Sequence, residues 1–345
     1  MTMRALVKET AKPGLTLKEV PVPSPGFGEV LIRVERAGIC GTDLHIYEWD
    51  KWAAERVRPS LTIGHEFVGR VARLGEGVST VKVGDRVSGE GHIGCGDCYC
   101  CRTGQGHICE KVDIIGVDVN GCFAEYLLLP GANVWKLDSR VSDRVGAILD
   151  PLGNAMHTVM VDQISGRSVL IMGVGTIGLM MVTIARAAGA LEIFCVDTNG
   201  YKLGVAKQLG ADLCLNAQDS EFEDKIRSRT RGRLGVDVLL EASGHPTAIK
   251  SGLSLLRSGG WAALLGIPPQ EIPFDLAREV IFKGVTLYGI NGRRIFETWY
   301  QCENFLTRGR LNLDPIITHE MPLQEFQKGF ELMKAGKAIK VILSL

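Results

Sequence analysis

A chain of 345 residues is long enough for two domains, each burying its own core. Its 39 basic and 39 acidic residues cancel, so no net field draws it to nucleic acid or to an anionic membrane, and a small-molecule substrate is expected. The opening stretch from Met1 to Glu9 lacks the apolar run of a signal peptide, and no charge-free stretch suits a bilayer span, so a cytoplasmic location is expected.

In that compartment thiols stay reduced, and the ten cysteines read as metal ligands or core residues, not as a disulfide scaffold. Up to about Val87 the sequence predicts short strands at Ala5–Val7, Leu15–Leu17 and Glu29–Val34, broken by turns at Pro21–Gly28 and at Gly64, Gly69, Gly75, Gly77 and Gly84. A cysteine-dense loop over 91–109 follows, and strands resume near Phe123–Leu129. Residues 1–150 therefore read as a β-rich domain. Beyond Asp150 apolar strands at Val169–Met172, Ile193–Val196, Val236–Leu240, Ala262–Leu265 and Val285–Tyr288 alternate with helical segments, among them Ile177–Ala188 and Tyr201–Leu209. Strands apolar on both faces and separated by helices predict a parallel sheet covered on both sides, within a domain over 151–293. The remainder, 294–345, predicts a helix at Ile295–Thr307 whose apolar positions include Trp299, Tyr300 and Cys302, then a strand at Lys340–Leu343. It is expected to pack back on the first domain.

Two cysteine-bearing groups carry metal chemistry. Cys40 lies in Gly38–His45, and His65 and Glu66 in Gly64-His65-Glu66. Taken singly, Cys40 is more often a buried thiol and His65 a satisfied core histidine. As a sulfur, nitrogen and oxygen set they offer three ligands and leave a fourth position for water or alcohol, the mark of a catalytic zinc site. Such an ion draws charge off a bound alcohol, from which hydride then leaves. Thr42 and His45 suit a relay that carries the released proton outward, although His45 reads equally as an ordinary surface histidine. Asp150 has three readings: metal ligand, relay member, or cap of the following helix. The second group, Cys95, Cys98, Cys101 and Cys109, gives four thiolates in one loop and a closed tetrahedral shell, which suits a structural zinc. Cys100 competes with Cys101 by spacing, His92 and His107 are poorer candidates, and thiol count alone also admits an iron–sulfur cluster. Two zinc ions per chain are predicted.

Gly173-Val174-Gly175-Thr176-Ile177-Gly178 follows a predicted strand, opens a predicted helix and precedes Asp197 at the end of the next strand. That context predicts dinucleotide binding, with Gly173 turning the chain, Gly175 admitting the pyrophosphate and Gly178 letting helix and sheet approach. Asp197 accepts from ribose hydroxyls and repels a 2′-phosphate, which predicts NAD over NADP, a preference that nearby Lys202 softens.

Together these motifs resemble the zinc-containing medium-chain dehydrogenases over essentially the whole chain. Gly89–His92, Gly121–Tyr126, Gly153–Thr158, Leu265–Pro269, Phe296–Tyr300 and Pro315–His319 resemble, within them, the branch that acts on L-threonine. The resemblance implies a GroES-like catalytic domain, a Rossmann domain and a homotetramer. It implies catalytic zinc on Cys40, His65 and Glu66, a relay of Thr42, His45 and Asp150, and NAD contacts at Ile177, Asp197, Lys202, Leu265, Gly266, Ile267, Ile290 and Asn291. The implied reaction is oxidation of L-threonine at its hydroxyl carbon to 2-amino-3-oxobutanoate. Many relatives carry arginine at Lys202 and glutamate at Asp150, and the shorter Asp150 favours a relay or supporting role over permanent ligation. The rivals are a polyol or butanediol dehydrogenase of the same family and a non-catalytic NAD-binding protein. The intact Cys40, Thr42, His45, His65 and Glu66 set argues against the latter.

Overall fold

The computed structural model describes residues 1–345, which form two compact units. One comprises Met1–Pro151, Arg294–Trp299 and Ile317–Leu345, the other Leu152–Arg293 and Tyr300–Ile316.

In the first unit the strand Glu29–Gly38 is the hub of a seven-stranded sheet. Its run of Val30, Leu31, Ile32 and Val34 is buried, which is why it takes the middle and not an edge. Along one side it pairs antiparallel with Glu66–Leu74. Along the other, its first half pairs with Tyr126–Pro130 and its last residues with Lys340–Ser344, both antiparallel. The strand Lys340–Ser344 in turn pairs parallel with Ile317–Pro322. Leu6, Ile32, Phe67, Phe123 and Val341 belong to one continuous core beneath this sheet.

The second unit is built on a six-stranded sheet whose pairs are all parallel. Its spatial order is Leu213–Asn216, Glu192–Asp197, Ser168–Met172, Val236–Glu241, Leu256–Leu264, Thr286–Gly289. Numbered within the unit, that is 3-2-1-4-5-6, a doubly wound order of the parallel sheet that the alternation of strands and helices predicts. The helices Thr176–Ala187, Gly200–Gln208, Phe222–Arg229 and Pro246–Leu255 form the crossovers. Because the chain reverses direction across the sheet between Ser168–Met172 and Val236–Glu241, the carboxyl ends of those two strands splay into a crevice. Leu170, Met172, Phe194, Leu239 and Ala262 share the core on one face.

The structure departs from the sequence reading at the edge of the second sheet and in the C-terminal segment. The short edge strand Leu213–Asn216 had not been anticipated. Within 294–345, Tyr300–Ile316 belongs to the second unit instead of returning with the rest. Leu311, Leu313 and Ile316 are buried, and the turn Asp314–Ile316 lies against the helices Thr176–Ala187 and Gly200–Gln208. The predicted helix is Glu297–Thr307. It buries Trp299 and Cys302, but Tyr300 is 62% exposed.

Candidate metal and nucleotide sites

Sheet register assembles the first metal site. Gly38 pairs with Glu66 across the two central strands, so the residues just after Gly38 and just before Glu66 meet at the same end. Cys40 stands there as the N-cap of the helix Gly41–Glu48, its backbone N–H donating to Asp43 Oδ2 at 2.8 Å. Gly64, at φ +93°, makes the turn before His65, and the Phe123 ring packs where its Cβ would stand. One ligand atom each from Cys40, His65 and Glu66 lies within 4.8 Å of the others.

The surroundings suit a cation. His65 Nδ1 and Asp43 Oδ1 are buried 3.7 Å apart, and neither has a hydrogen-bond partner. Burial opposes a charged imidazole, yet Asp43, Cys40 and Asp150 outweigh it and push the His65 pKa up to about 10. Burial likewise lifts Asp43 to about 6. A pocket this rich in anionic groups favours positive charge, and thiolate, imidazole and carboxylate together make a donor set fit for zinc. Glu66 is shared: both its oxygens lie 2.8 Å from Lys340 Nζ, which also donates to the Ile39 carbonyl at 2.9 Å. The register that pairs Ile342 with Gly38 delivers Lys340 to this spot. Sequence reasoning had given Lys340 only a place in a strand.

Thr42 Oγ1 lies 4.0 Å from Cys40 Sγ. His45 is largely exposed, and its Nδ1 hydrogen-bonds Asp50 Oδ2 at 2.5 Å, a partner that sequence reasoning missed. Asp150 is buried inside the first turn of the helix Leu149–Val159, so it is not the residue that precedes and caps that helix.

In the loop, the sulfur atoms of Cys95, Cys98, Cys101 and Cys109 lie within 4.8 Å of one another, and none is in a disulfide. Backbone N–H groups point at them: Cys95 and Lys111 donate to Cys109, at 3.4 and 3.3 Å, and Cys101 donates to Cys98 at 3.5 Å. The Cys101 N–H is the main cause that draws the Cys98 thiol below its ordinary value, while its neighbours Cys95 and Cys101 shift upward. Cys100 lies outside this group. His92 is engaged elsewhere: its ring Nδ1 and backbone N–H lie 3.0 and 2.9 Å from Glu90 Oε1. The other oxygen of fully buried Glu90 accepts from Trp299 Nε1 at 2.9 Å. The fragments Gly89–His92 and Phe296–Tyr300, read separately in the sequence, thus meet through Glu90.

In the second unit Gly173 has φ +87° and ends the strand Ser168–Met172, and Gly175 is the N-cap of Thr176–Ala187. A Cβ on Gly175 would meet nothing within 4 Å, which leaves the helix N-terminus open to an anion. A Cβ on Gly178 would collide with the Gly173 carbonyl oxygen. Gly178→Ala is therefore expected to cost about 1–3 kcal/mol by overpacking, read by chemical denaturation. A stability equal to the parent would show that helix and strand do not need this close approach. Asp197 Oδ2 accepts from the Val174 N–H at 2.8 Å, and Oδ1 from the Asn199 N–H at 2.8 Å, which fixes the carboxylate beside the glycine turn. A cavity of about 320 Å³ opens beside it, lined among others by Gly173, Asp197, Thr198, Ser243, His245 and Thr247. Of these, sequence reasoning found Gly173 and Asp197, since no motif marks the rest. Leu265 and Gly266 donate backbone N–H to the Glu241 carbonyl, at 2.9 and 3.1 Å, Ile267 is exposed and Ile290 buried. Lys202 and Asn291 are at least partly exposed.

Residues 26–139 match the alcohol dehydrogenase GroES-like domain and residues 176–308 the zinc-binding dehydrogenase family. The chain is 46% identical to the L-threonine 3-dehydrogenase of Bacillus subtilis, over 99% of this chain and 98% of that one. It is 47% identical to the L-threonine 3-dehydrogenase of Symbiobacterium thermophilum, over 99% and 97%. Among solved structures, an E. coli alcohol dehydrogenase complexed with NADH superposes with a TM-score of 0.91 at 26% identity, covering 100% of this chain and 99% of that one. With a zinc-fit donor set, a glycine turn at a doubly wound switch point and these likenesses along its length, the chain belongs to the zinc-binding alcohol dehydrogenase family.

Proposed function

We propose that the protein oxidises L-threonine at C3 to 2-amino-3-oxobutanoate, passing the hydride to NAD and the hydroxyl proton to solvent. The observation that carries this reading is the convergence of Cys40, His65 and Glu66 in a chain that is 46% identical to a threonine dehydrogenase. Cys40, His65 and Glu66 would hold one zinc ion and Cys95, Cys98, Cys101 and Cys109 a second. When bound, the first ion supplies the Lewis acidity that lowers the pKa of a substrate hydroxyl. Thr42, next to Cys40, receives that proton. His45, largely exposed and hydrogen-bonded to Asp50, returns it to water, and buried Asp150 adds negative charge beside the place where the ion would sit. By the resemblance read in the sequence, the protein is a cytoplasmic homotetramer. The same resemblance divides the chain into a catalytic domain over 1–150, an NAD-binding domain over 151–293 and a C-terminal segment over 294–345, of which Tyr300–Ile316 joins the second unit.

A panel of L-threonine, 2,3-butanediol and polyols with NAD, run beside zinc analysis of the same sample, tests the reading. L-threonine should dominate in kcat/KM, with two zinc ions per chain. Polyol turnover far above threonine turnover would replace it with the polyol reading.

Asp197 supplies the preference between cofactors. Its carboxylate stands where a 2′-phosphate would meet like charge. Asp197→Ser should cut the NAD to NADP ratio of kcat/KM by about tenfold or more, equivalent to at least about 1.4 kcal/mol. An unchanged ratio would move the source of the preference elsewhere.

A further inference from the structure

The strand Glu192–Asp197 pairs in parallel register with the edge strand Leu213–Asn216, and Cys195 stands directly opposite Cys214. Alternation along the strands puts both side chains on the face opposite Phe194, Val196 and Leu215, which belong to the core on the other side. The helix Gly200–Gln208 packs against both strands, and its Lys207 acts on Cys214. Paired strands run about 4.8 Å apart, so directly opposed residues have their Cα atoms inside the range that a disulfide spans. Neither thiol is engaged in the metal groups or in the proposed chemistry. Their exposure differs in the way an attacking and a resolving thiol require. Cys214 is partly exposed on the edge strand, whereas Cys195 is fully buried.

We propose that Cys195 and Cys214 are a thiol modification site, which a small-molecule disulfide converts to an intramolecular disulfide that weakens NAD binding. The claim about NAD rests on the dinucleotide reading of the second unit. The hydrogen bond from Cys195, aided by Lys207 against partial burial, holds the Cys214 thiol below its ordinary value, and burial pushes the Cys195 thiol well above. Cys214 is therefore the nucleophile. Its thiolate attacks one sulfur of the small disulfide, forming a mixed disulfide and expelling one thiolate. Cys195 then attacks the Cys214 sulfur, a second thiolate leaves, and the Cys195 proton goes to it or to water. The protein dithiol is oxidised by two electrons, and one small disulfide is reduced to two thiols. Asp197 lies two residues beyond Cys195 on the same strand and face, and the helix that covers the thiols follows directly from it. Drawing the two sulfurs together tilts the end of this strand and shifts the carboxylate proposed to hold the ribose.

The experiment treats the zinc-loaded protein with glutathione disulfide, maps disulfides by peptide mass and measures NAD affinity before and after. Expected are a peptide joining Cys195 to Cys214, a several-fold rise in the Kd for NAD, and full recovery with dithiothreitol. Cys214→Ser and, separately, Cys195→Ala should bind NAD as the parent does and lose the response. Absence of the joined peptide, or only adducts and bridges among the loop cysteines, overturns the proposal. So does a response that persists in both variants, or a joined peptide with unchanged Kd. Failure of the reduced parent to bind NAD at all would instead sink the dinucleotide reading.

Discussion

Cys40→Ser is expected to lower kcat/KM for L-threonine by about a thousandfold while the protein stays folded and still binds NAD. The expectation follows from where the residue sits. Cys40 is the N-cap of a helix; its backbone N–H, which donates to Asp43, is unchanged in the variant, and serine is itself a favourable N-cap residue. Local structure therefore survives, whereas the soft thiolate is lost from a donor set of only three. A Lewis acid at the reacting oxygen is worth several kcal/mol, and each 1.4 kcal/mol or so is a factor of about ten in rate, hence roughly a thousandfold. Zinc content should fall from two ions to one per chain, because the loop thiols are a separate group. Steady-state kinetics, metal analysis and NAD titration on one preparation check all three parts. Turnover equal to the parent, or loss of the loop zinc alone, would remove Cys40 from the chemistry.

The parts of this molecule legible in the sequence are those written in short local patterns. Gly173, Gly175 and Gly178 each have a steric reason visible from their spacing between a predicted strand and helix, and the structure gives each a place at a strand-to-helix turn. The four loop cysteines announced themselves by density, although only the structure separates Cys101 from Cys100. What was illegible depends on long-range register. Lys340 comes 274 residues after Glu66, and nothing in Lys340–Leu343 beyond an apolar run hints that its first residue is buried against a carboxylate. Glu90 and Trp299, 209 residues apart, likewise meet only because the fold brings them together. The edge strand Leu213–Asn216 escaped because four residues give no period to count, and its identity comes from pairing with Glu192–Asp197.

Lys340→Met is expected to destabilise the zinc-depleted protein by about 3–5 kcal/mol, because it strips the counter-charge from a carboxylate that cannot reach water. Glu66 and Lys340 are each 1% exposed, and the ammonium touches both carboxylate oxygens as well as the Ile39 carbonyl. Methionine keeps the length and packing of the aliphatic stem, so the loss reports on charge more than on volume. The size of the loss should depend on metal. In the zinc-loaded protein the ion itself neutralises Glu66, and the same substitution should cost distinctly less there, provided that Glu66 is among the ligands. Paired denaturation curves of parent and variant, with and without zinc, read both numbers. Glu66→Gln combined with Lys340→Met should recover part of the loss, as a pair removed together leaves no orphaned charge. A penalty under about 1 kcal/mol without metal would show that the pair is no structural keystone. An identical penalty with and without metal would take Glu66 out of the zinc shell and leave it solely the partner of Lys340, the arrangement that the register of three neighbouring strands already provides.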